Sequence, residues 1–504
     1  MTTASALPST EPVTARDYSL TGPSGQRAIE AGLASADWYR PSIGPARLQA
    51  LMARTNGRAA RDVALWLALL VGAGFVAFLG LGHWWAVPAF VVYGALYGGA
   101  ADPRWHECGH GSAFRNHTAN DVVYTFASFL LLREATLWRW SHVRHHSDTL
   151  VVGRDPEIAF QRPFRLRAFV PNVLNLANGV SMLRRMIRHA SGKLDDAARD
   201  FVPPAEWRRV VWEARAYVAV LLGVVVWSIS TRSVVPLLFV GLPSFYGVWL
   251  LLFFGLTQHA GLREDVLDHR LNTRTVYMNP VFRFLYLNMN YHVEHHLFPS
   301  VPYHALPALH AEIKDQLAPA HPSTISAYRE IVRALRHQRR DSRWELPAPT
   351  VAARRAGAAV EAGVIEAGVI EAGVIEAGVI EAGVIEAGVI GDSPVDRGSV
   401  DLGSVDLGSV DSVAPGGVRR VDVGARTFAL CRTANGDHVL VDGLCTHGRA
   451  HLADGVIVGD AIECPKHNGR FDVRTGEPVR RPVTVAVRHY DVRVCDGRLK
   501  ADLC

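Results

Sequence analysis

The sequence predicts two folds in one chain: an α-helical integral membrane domain of four transmembrane helices with a cytoplasmic cap, and a small all-β domain at the C-terminal end. Three observations predict this. Four strongly apolar runs fall between residues 63 and 256, with three histidine clusters beside them. Beyond residue 415 the apolar runs shorten to strand length around the hairpin-turn pairs Asn435-Gly436 and Asp496-Gly497. Between the two parts lies a repeat. The division is therefore 1–45, a polar N-terminal segment; 46–346, the membrane domain; 347–415, a linker; and 416–504, the β domain.

The polar stretch 1–20 contains Pro, Thr and Ser without an apolar core, so no cleaved signal peptide is expected there. The spans are read at 63–81, 84–101, 217–229 (extended on its N-terminal side) and 234–256. Short connections at 82–83 and 230–233 make two helical hairpins. Arg47, Arg54, Arg58 and Arg61 precede the first hairpin, and Arg184, Arg185, Arg188, Arg208 and Arg209 precede the second. The positive-inside tendency places these segments, and with them all three histidine clusters, in the cytoplasm. The expected location is thus the cytoplasmic (inner) membrane, with every metal site on its cytoplasmic side. The apolar stretch 122–140 is interrupted by Arg133, Glu134 and Arg139, so it is expected as an interfacial helix, or a buried helix of the cap, rather than a fifth span.

The clusters read His106-Glu-Cys-Gly-His110, His142-Val-Arg-His145-His146 and His292-Val-Glu-His295-His296. Helical spacing puts i, i+3 and i+4 on one face, so each box can aim its rings one way. Imidazole is the commonest metal-binding side chain near neutral pH, and three boxes together can hold two metal ions. A single pair at this spacing is as readily a polar helix face; three boxes point to metal. Glu107, Asp148, Asp155, Glu157 and Glu294 are nearby carboxylates able to fix imidazole tautomers; each is more readily a solvated charge on a cytoplasmic loop, with Asp155 and Glu294 the preferred exceptions. His83, His117, His189, His269, His304, His310, His321 and His337 have no partner at ligand spacing.

The boxes, their order and the four-helix layout resemble the membrane-bound fatty-acid desaturase and hydroxylase superfamily, over roughly 105–309. The segment Asn290-Tyr291-His292-Val293-Glu294-His295-His296-Leu297-Phe298-Pro299 is very similar to that family's third box. The resemblance implies a di-iron centre that activates O2. It also implies a ninth ligand, His259, which on the residues alone is equally a hydrated histidine at a helix end. Asn288 is a weaker candidate, acting through water. Imidazoles suit iron, and the boxes do not carry the paired Glu-x-x-His motifs of soluble di-iron bundles, Glu107-Cys-Gly-His110 being the one such spacing in them. Iron with O2 oxidises unactivated C–H bonds, which no side chain does alone. The run from His145 to Glu157 (HHSDTLVVGRDPE) is similar to a narrower branch, the MocD-like oxygenases of rhizopine catabolism.

In the C-terminal part, Cys445-Thr-His447 is followed after sixteen residues by Cys464-Pro-Lys-His467. This C-x-H…C-x-x-H resembles the Rieske [2Fe–2S] signature, which implies that Cys445, Cys464, His447 and His467 hold the cluster. Zinc uses the same ligand types, but its usual spacing is C-x-x-C. Neither loop has an additional cysteine, and Phe471 stands where the high-potential type tends to have a Tyr, so a potential near about −150 mV is expected. Cys108, Cys431, Cys495 and Cys504 are expected as ordinary thiols in a reducing cytosol.

The linker carries Glu-Ala-Gly-Val-Ile six times over 361–390, then an Asp-x-Gly-Ser-Val variant over 396–410. A five-residue period builds no continuous helical or strand face, so a flexible tether is expected, a pentapeptide solenoid being the structured alternative. A Gly-rich coil of this length spans about 40–50 Å, and tethering gives an effective concentration of order millimolar.

The leading reading is an O2-dependent di-iron oxidoreductase supplied with electrons by its own Rieske domain. No G-x-G-x-x-G stands in a strand–helix context, so a separate NAD(P)H-dependent flavoprotein reductase is expected. The substrate is expected to be an acyl chain, or else a small polar or methoxylated metabolite that is hydroxylated or O-demethylated. A non-catalytic membrane electron carrier is the alternative from another class, and a soluble ring-hydroxylating Rieske oxygenase is disfavoured by the spans and the C-terminal position of the cluster motif. A net charge of +5 without basic–aromatic interleaving gives no reason to expect nucleic acid as a partner.

Overall fold

The computed structural model describes residues 16–34, 38–348, 404–424, 426–448, 450–466 and 468–503. The pentapeptide repeats at 361–390, His467 and Cys504 lie outside them.

Helix Asn56–Leu79 is the first apolar run, preceded by its arginines and closed by a turn with Gly82 at φ +85°. The second run is not one α-helix. It forms Ala86–Gly94, a π-helical turn Ala95–Gly99, and then Ala101–His110, the helix of the first box. The third helix, Trp207–Ser230, starts well before the apolar run because its polar first half is occupied: Glu213 accepts from the Thr136 backbone N–H and hydroxyl, both at 2.7 Å. The fourth run is divided into Val235–Phe239, Pro243–Tyr246 and Trp249–His259, interrupted by Gly241 at φ +92° and Pro243.

Among the described residues, three stretches are long and apolar enough to cross a membrane: Asn56–Leu79, Pro204–Ser230 and Val235–His259. The second of the four expected spans is not among them. The outer faces of the first and second of those stretches are apolar, with Val71, Phe75, Leu222, Val226 and Ile229 exposed. Gly94 and Gly247 allow the second and fourth runs to cross closely; a Cβ on Gly247 would lie 2.0 Å from the Gly94 carbonyl oxygen.

The stretch expected as one interfacial helix is two, His117–Leu130 and Ala135–Ser147, the latter carrying the second box. Buried charges cause the break. Arg133 pairs with Asp102 at 2.7 Å and lies 4.3 Å from the Trp105 ring centre, and Glu134 is bonded to His189 Nδ1 at 2.8 Å. The third box lies on the short helix His292–Leu297, seated in an apolar core of Phe254, Tyr286, Met289, Leu306 and Leu309.

The C-terminal domain is all-β. Its strands are β1 Ser404–Ser409, β2 Val418–Val423, β3 Arg426–Arg432, β4 His438–Asp442, β5 Val456–Val458, β6 Ala461–Glu463, β7 Arg470–Asp472, β8 Pro478–Arg480, β9 His489–Cys495 and β10 Arg498–Asp502. They form an antiparallel six-stranded sheet in the order β1-β10-β9-β4-β3-β2 and a four-stranded sheet β5-β6-β7-β8. Both expected hairpins are present; in the β9–β10 turn Asp496 and Gly497 both take positive φ, as a type I′ turn demands. Both faces of β3 are buried: Phe428 and Leu430 enter one core, Ala429 and Cys431 the other. Strand β1 comes from within the stretch expected as tether. It pairs with β10 from Ser404–Asp502 to Ser409–Arg498, so the sheet begins inside the last repeats.

Candidate metal centres

The three box helices and the end of helix Trp249–His259 converge, and all nine expected histidines come together. His106, His110, His142, His146 and His295 offer ring nitrogens within 4.8 Å of one another; His145, His259 and His296 form a second such group. His292 joins the second group, its Nε2 at 3.1 Å from His259 Nε2 and 3.2 Å from His296 Nε2. In the first group, His142 Nε2 lies 3.1 Å from both His110 Nε2 and His146 Nε2, and His146 Nε2 lies 3.2 Å from His295 Nε2.

Groups on the outside turn the rings inward. His145 Nδ1 is bonded to Asp155 at 2.9 Å and His142 Nδ1 to Glu157 at 3.1 Å. His259 Nδ1 donates to the Asn272 carbonyl at 2.8 Å, and His296 Nδ1 meets the Thr149 hydroxyl at 3.2 Å. With Nδ1 protonated outward, Nε2 presents its lone pair to the interior.

Burial and neighbouring imidazoles hold His106, His110, His146, His292, His295 and His296 well below the ordinary histidine range. They are therefore neutral, the form that binds metal. His145 goes the other way: burial opposes it, but the Asp155 charge and hydrogen bond raise it. Glu157, although buried, is held down to about 2 by His142. Both ring nitrogens of buried His106 have no hydrogen-bond partner. Buried imidazole nitrogens facing one another cannot all be satisfied by protons; a pair of cations at the two centres satisfies them together. The donor set is all nitrogen, and it fits di-iron.

Two expectations about the surroundings differ. Glu294 serves none of the nine; it holds His310 Nδ1 and accepts from the Thr275 hydroxyl at 2.6 Å. Asn288 has its amide occupied by Arg283 at 2.9 Å and the Tyr303 carbonyl at 3.0 Å. Asp148 binds Arg144 and Arg154, and Glu107 accepts from the Tyr303 N–H at 3.1 Å. Thr149 and Asn272 were not read from the sequence, since nothing in the spacing marks them. His269, set aside for want of a partner at ligand spacing, stacks on Trp38 with centroids 4.3 Å apart and stands 5.0 Å from the His296 ring.

In the β domain, Cys445 and Cys464 are each 1% exposed, on two loops that also carry His447. The loops are fixed by backbone bonds: Cys445 N–H to the Ala450 carbonyl at 2.9 Å, and Cys464 N–H to the Gly469 carbonyl at 2.8 Å. The Cys464 thiol draws the Cys445 thiol down to about 7 against the effect of burial, toward the thiolate a metal takes. Burial, with Lys466 nearby, pushes His447 down to about 4, so it is neutral. Two adjacent buried thiols and a neutral imidazole fit an iron–sulfur cluster.

The two centres face each other. The His447 ring lies 5.9 Å from that of Trp140, two residues before His142. A cavity of about 480 Å³ opens at the domain boundary, reaching His106, His110 and His142 and bordered by Tyr124, Arg139 and Arg480.

Residues 82–328 match the family model for fatty acid desaturase, and residues 403–491 match that for the Rieske [2Fe-2S] domain. Over 91 residues the chain is 41% identical to the ferredoxin component of the naphthalene 1,2-dioxygenase system of Pseudomonas putida, spanning 18% of this chain and 86% of that protein. It is 43% identical over 86 residues to ferredoxin CarAc of Metapseudomonas resinovorans, 17% of this chain and 79% of that protein. Among solved structures, a chain in the complex of reduced oxygenase and oxidized ferredoxin in carbazole 1,9a-dioxygenase is 38% identical, covering 19% of this chain and 97% of that one, with a TM-score of 0.18.

Proposed function

Because this chain belongs to the fatty acid desaturase family over residues 82–328 and to the Rieske [2Fe-2S] family over residues 403–491, we propose that it is a membrane-bound, O2-dependent oxygenase or desaturase that carries its own electron donor. The observation that carries this is the convergence of nine inward-facing histidines beside the loops of Cys445, His447 and Cys464. His106, His110, His142, His146 and His295 hold one iron, and His145, His259, His292 and His296 the other. Cys445, His447, Cys464 and His467 hold the [2Fe–2S] cluster. The di-iron centre supplies O2 activation and oxidation of a C–H bond. The chain's residues do the rest: Asp155, Glu157, Asn272 and Thr149 fix the ring tautomers, and the surrounding apolar core excludes water. The apolar outer faces of the long helices lie in the inner membrane, with both metal sites on its cytoplasmic side. Electrons come from a separate NAD(P)H-dependent flavoprotein reductase.

An acyl chain is the substrate class this reading favours. The cavity supports a second reading, a small anionic metabolite. Its volume of about 480 Å³ suits a compact ligand, and Arg139, Arg209, Arg480 and Arg481 border it beside Trp105 and Tyr124.

Purified protein in lipid nanodiscs, analysed for iron and acid-labile sulfide and then given reductant, O2 and candidate lipids or small carboxylates, tests the proposal. Iron in both sites and an oxidised product by mass spectrometry are expected. Zinc in the histidine cage, or full iron loading with no product from either substrate class, rejects it.

A further inference from the structure

The His110 carbonyl closes the helix of the first box, where a helix leaves its last carbonyls without intrahelical donors and gathers partial negative charge. Two donors from the β domain fill that place: the Asn468 side-chain amide at 2.9 Å and the Arg480 guanidinium at 3.0 Å. Asn468 is 1% exposed and adopts φ +58°. Its Oδ1 accepts from the hydroxyl of Ser300, which follows the third box and also reaches the Pro465 carbonyl at 3.4 Å. One buried amide therefore joins two histidine-bearing segments to the loop that begins at Cys464. On the inner side of that loop, Glu463 is fully buried and bound by Arg54 of the helical domain together with Arg470 and Arg480.

We infer that Asn468 is the positioning residue that seats the Cys464 loop on the histidine cage and provides a continuous bonded path between them. The Cys464 carbonyl accepts from the Asn468 N–H at 3.1 Å, and the Asn468 amide donates to the His110 carbonyl at 2.9 Å. From the Cys464 sulfur to the His110 ring, the path crosses those two hydrogen bonds and no gap. The alternative approach, between the His447 and Trp140 rings, is through space. The inference rests on the proposed function in one respect: one electron leaves the reduced cluster, which is oxidised, and enters the cage, which is reduced. The reductase supplies that electron in turnover, and dithionite supplies it in the test.

The test uses the full chain in nanodiscs. Asn468→Gly deletes the amide while accepting φ +58° without strain. Hydrogen exchange is followed over 105–114 and 298–304, an arm that needs no metal in the cage and so reads the seat even where the proposed function fails. The variant should raise exchange at both segments by about tenfold, as expected for losing two buried hydrogen bonds. The cluster's spectrum and potential should stay at wild-type values, while anaerobic re-oxidation of the dithionite-reduced cluster by the oxidised cage slows by a similar factor. Ser300→Ala probes the same contact from the other domain without altering the cluster loop, and should shift exchange in the same direction by less. Wild-type exchange in both variants overturns the seat. Transfer slowed by Trp140→Leu and left unchanged by Asn468→Gly overturns the path.

Discussion

At the scale of single residues, the nine imidazoles are held by outward contacts as much as by their own helices. Asp155 and Glu157 each take one ring nitrogen from the second box. Asp155→Ala or Glu157→Ala is expected to lower iron affinity by about 10–100-fold, measured by competition with a chelator. Cys445→Ala should leave the cage iron in place and abolish turnover with NAD(P)H and reductase; undiminished activity removes the electron-donor role. The boxes were legible because spacing at i, i+3 and i+4 survives folding unchanged on a short helix. Asp155 stands out in the sequence as a ring partner, whereas Glu157 reads there only as a carboxylate more readily solvated, and it is the fold that brings it to His142. Asn272, Thr149 and the Glu294–His310 pair were not legible, since each contact is made by tertiary folding that no local spacing encodes. His259 was reached only through resemblance, for a lone histidine at a helix end carries no pattern.

At the scale of elements, the apolar runs placed four expected spans where the described residues hold three candidates, and they missed the interruptions. The π-helical turn Ala95–Gly99 stands one residue before the helix of the first box and divides the second run. Hydropathy averages over such a turn and does not see it. Leu132 at φ +56° likewise divides 122–140, where Arg133 and Glu134 find buried partners the sequence does not reveal. The end of the first box helix carries its own prediction. Gly111 has φ +65°, and a Cβ there would stand 2.0 Å from the Arg480 guanidinium. Gly111→Ala is expected to strain the helix end and push Arg480 from the His110 carbonyl, with faster proteolysis at the domain boundary as the readout. Unchanged cleavage would show that the guanidinium moves aside at no cost. Strand β1 was missed because Ser404-Val-Asp-Leu-Gly-Ser reads as another repeat, and only its pairing with β10 makes it a strand.

At the scale of the whole molecule, the chain reads as two modules and a tether, yet nothing in the sequence announces that the modules fit together. That fit centres on Glu463, an ordinary glutamate in a linear reading. Burial opposes its charge, but Arg54, Arg480 and Arg470 hold it down to about 2, against an ordinary value of 4.5. The sign follows: above pH 4.5 the carboxylate is charged whether the chain is folded or not, and its contribution is fully present. As pH falls from 4.5 toward about 2, the unfolded chain takes up the proton first and the contribution is lost. Glu463→Gln should flatten that acid limb of stability, and it leaves guanidiniums without their counter-charge, a change that costs about 3–5 kcal/mol in buried pairs. Thermal unfolding followed from pH 6 down to about pH 3 checks both. The seated arrangement also sets a rule of traffic. Ser300 covers the Cys464 loop and the His447 ring stands 5.9 Å from that of Trp140, so under the proposed function an outside donor would meet that face only with the module lifted away. Under the proposed function, oxidising one substrate takes two electrons and a [2Fe–2S] cluster carries one, so each catalytic cycle would contain two departures. Crowding the membrane with reductase should then speed the cycle up to a point and slow it beyond, as loading and unloading compete for a single berth.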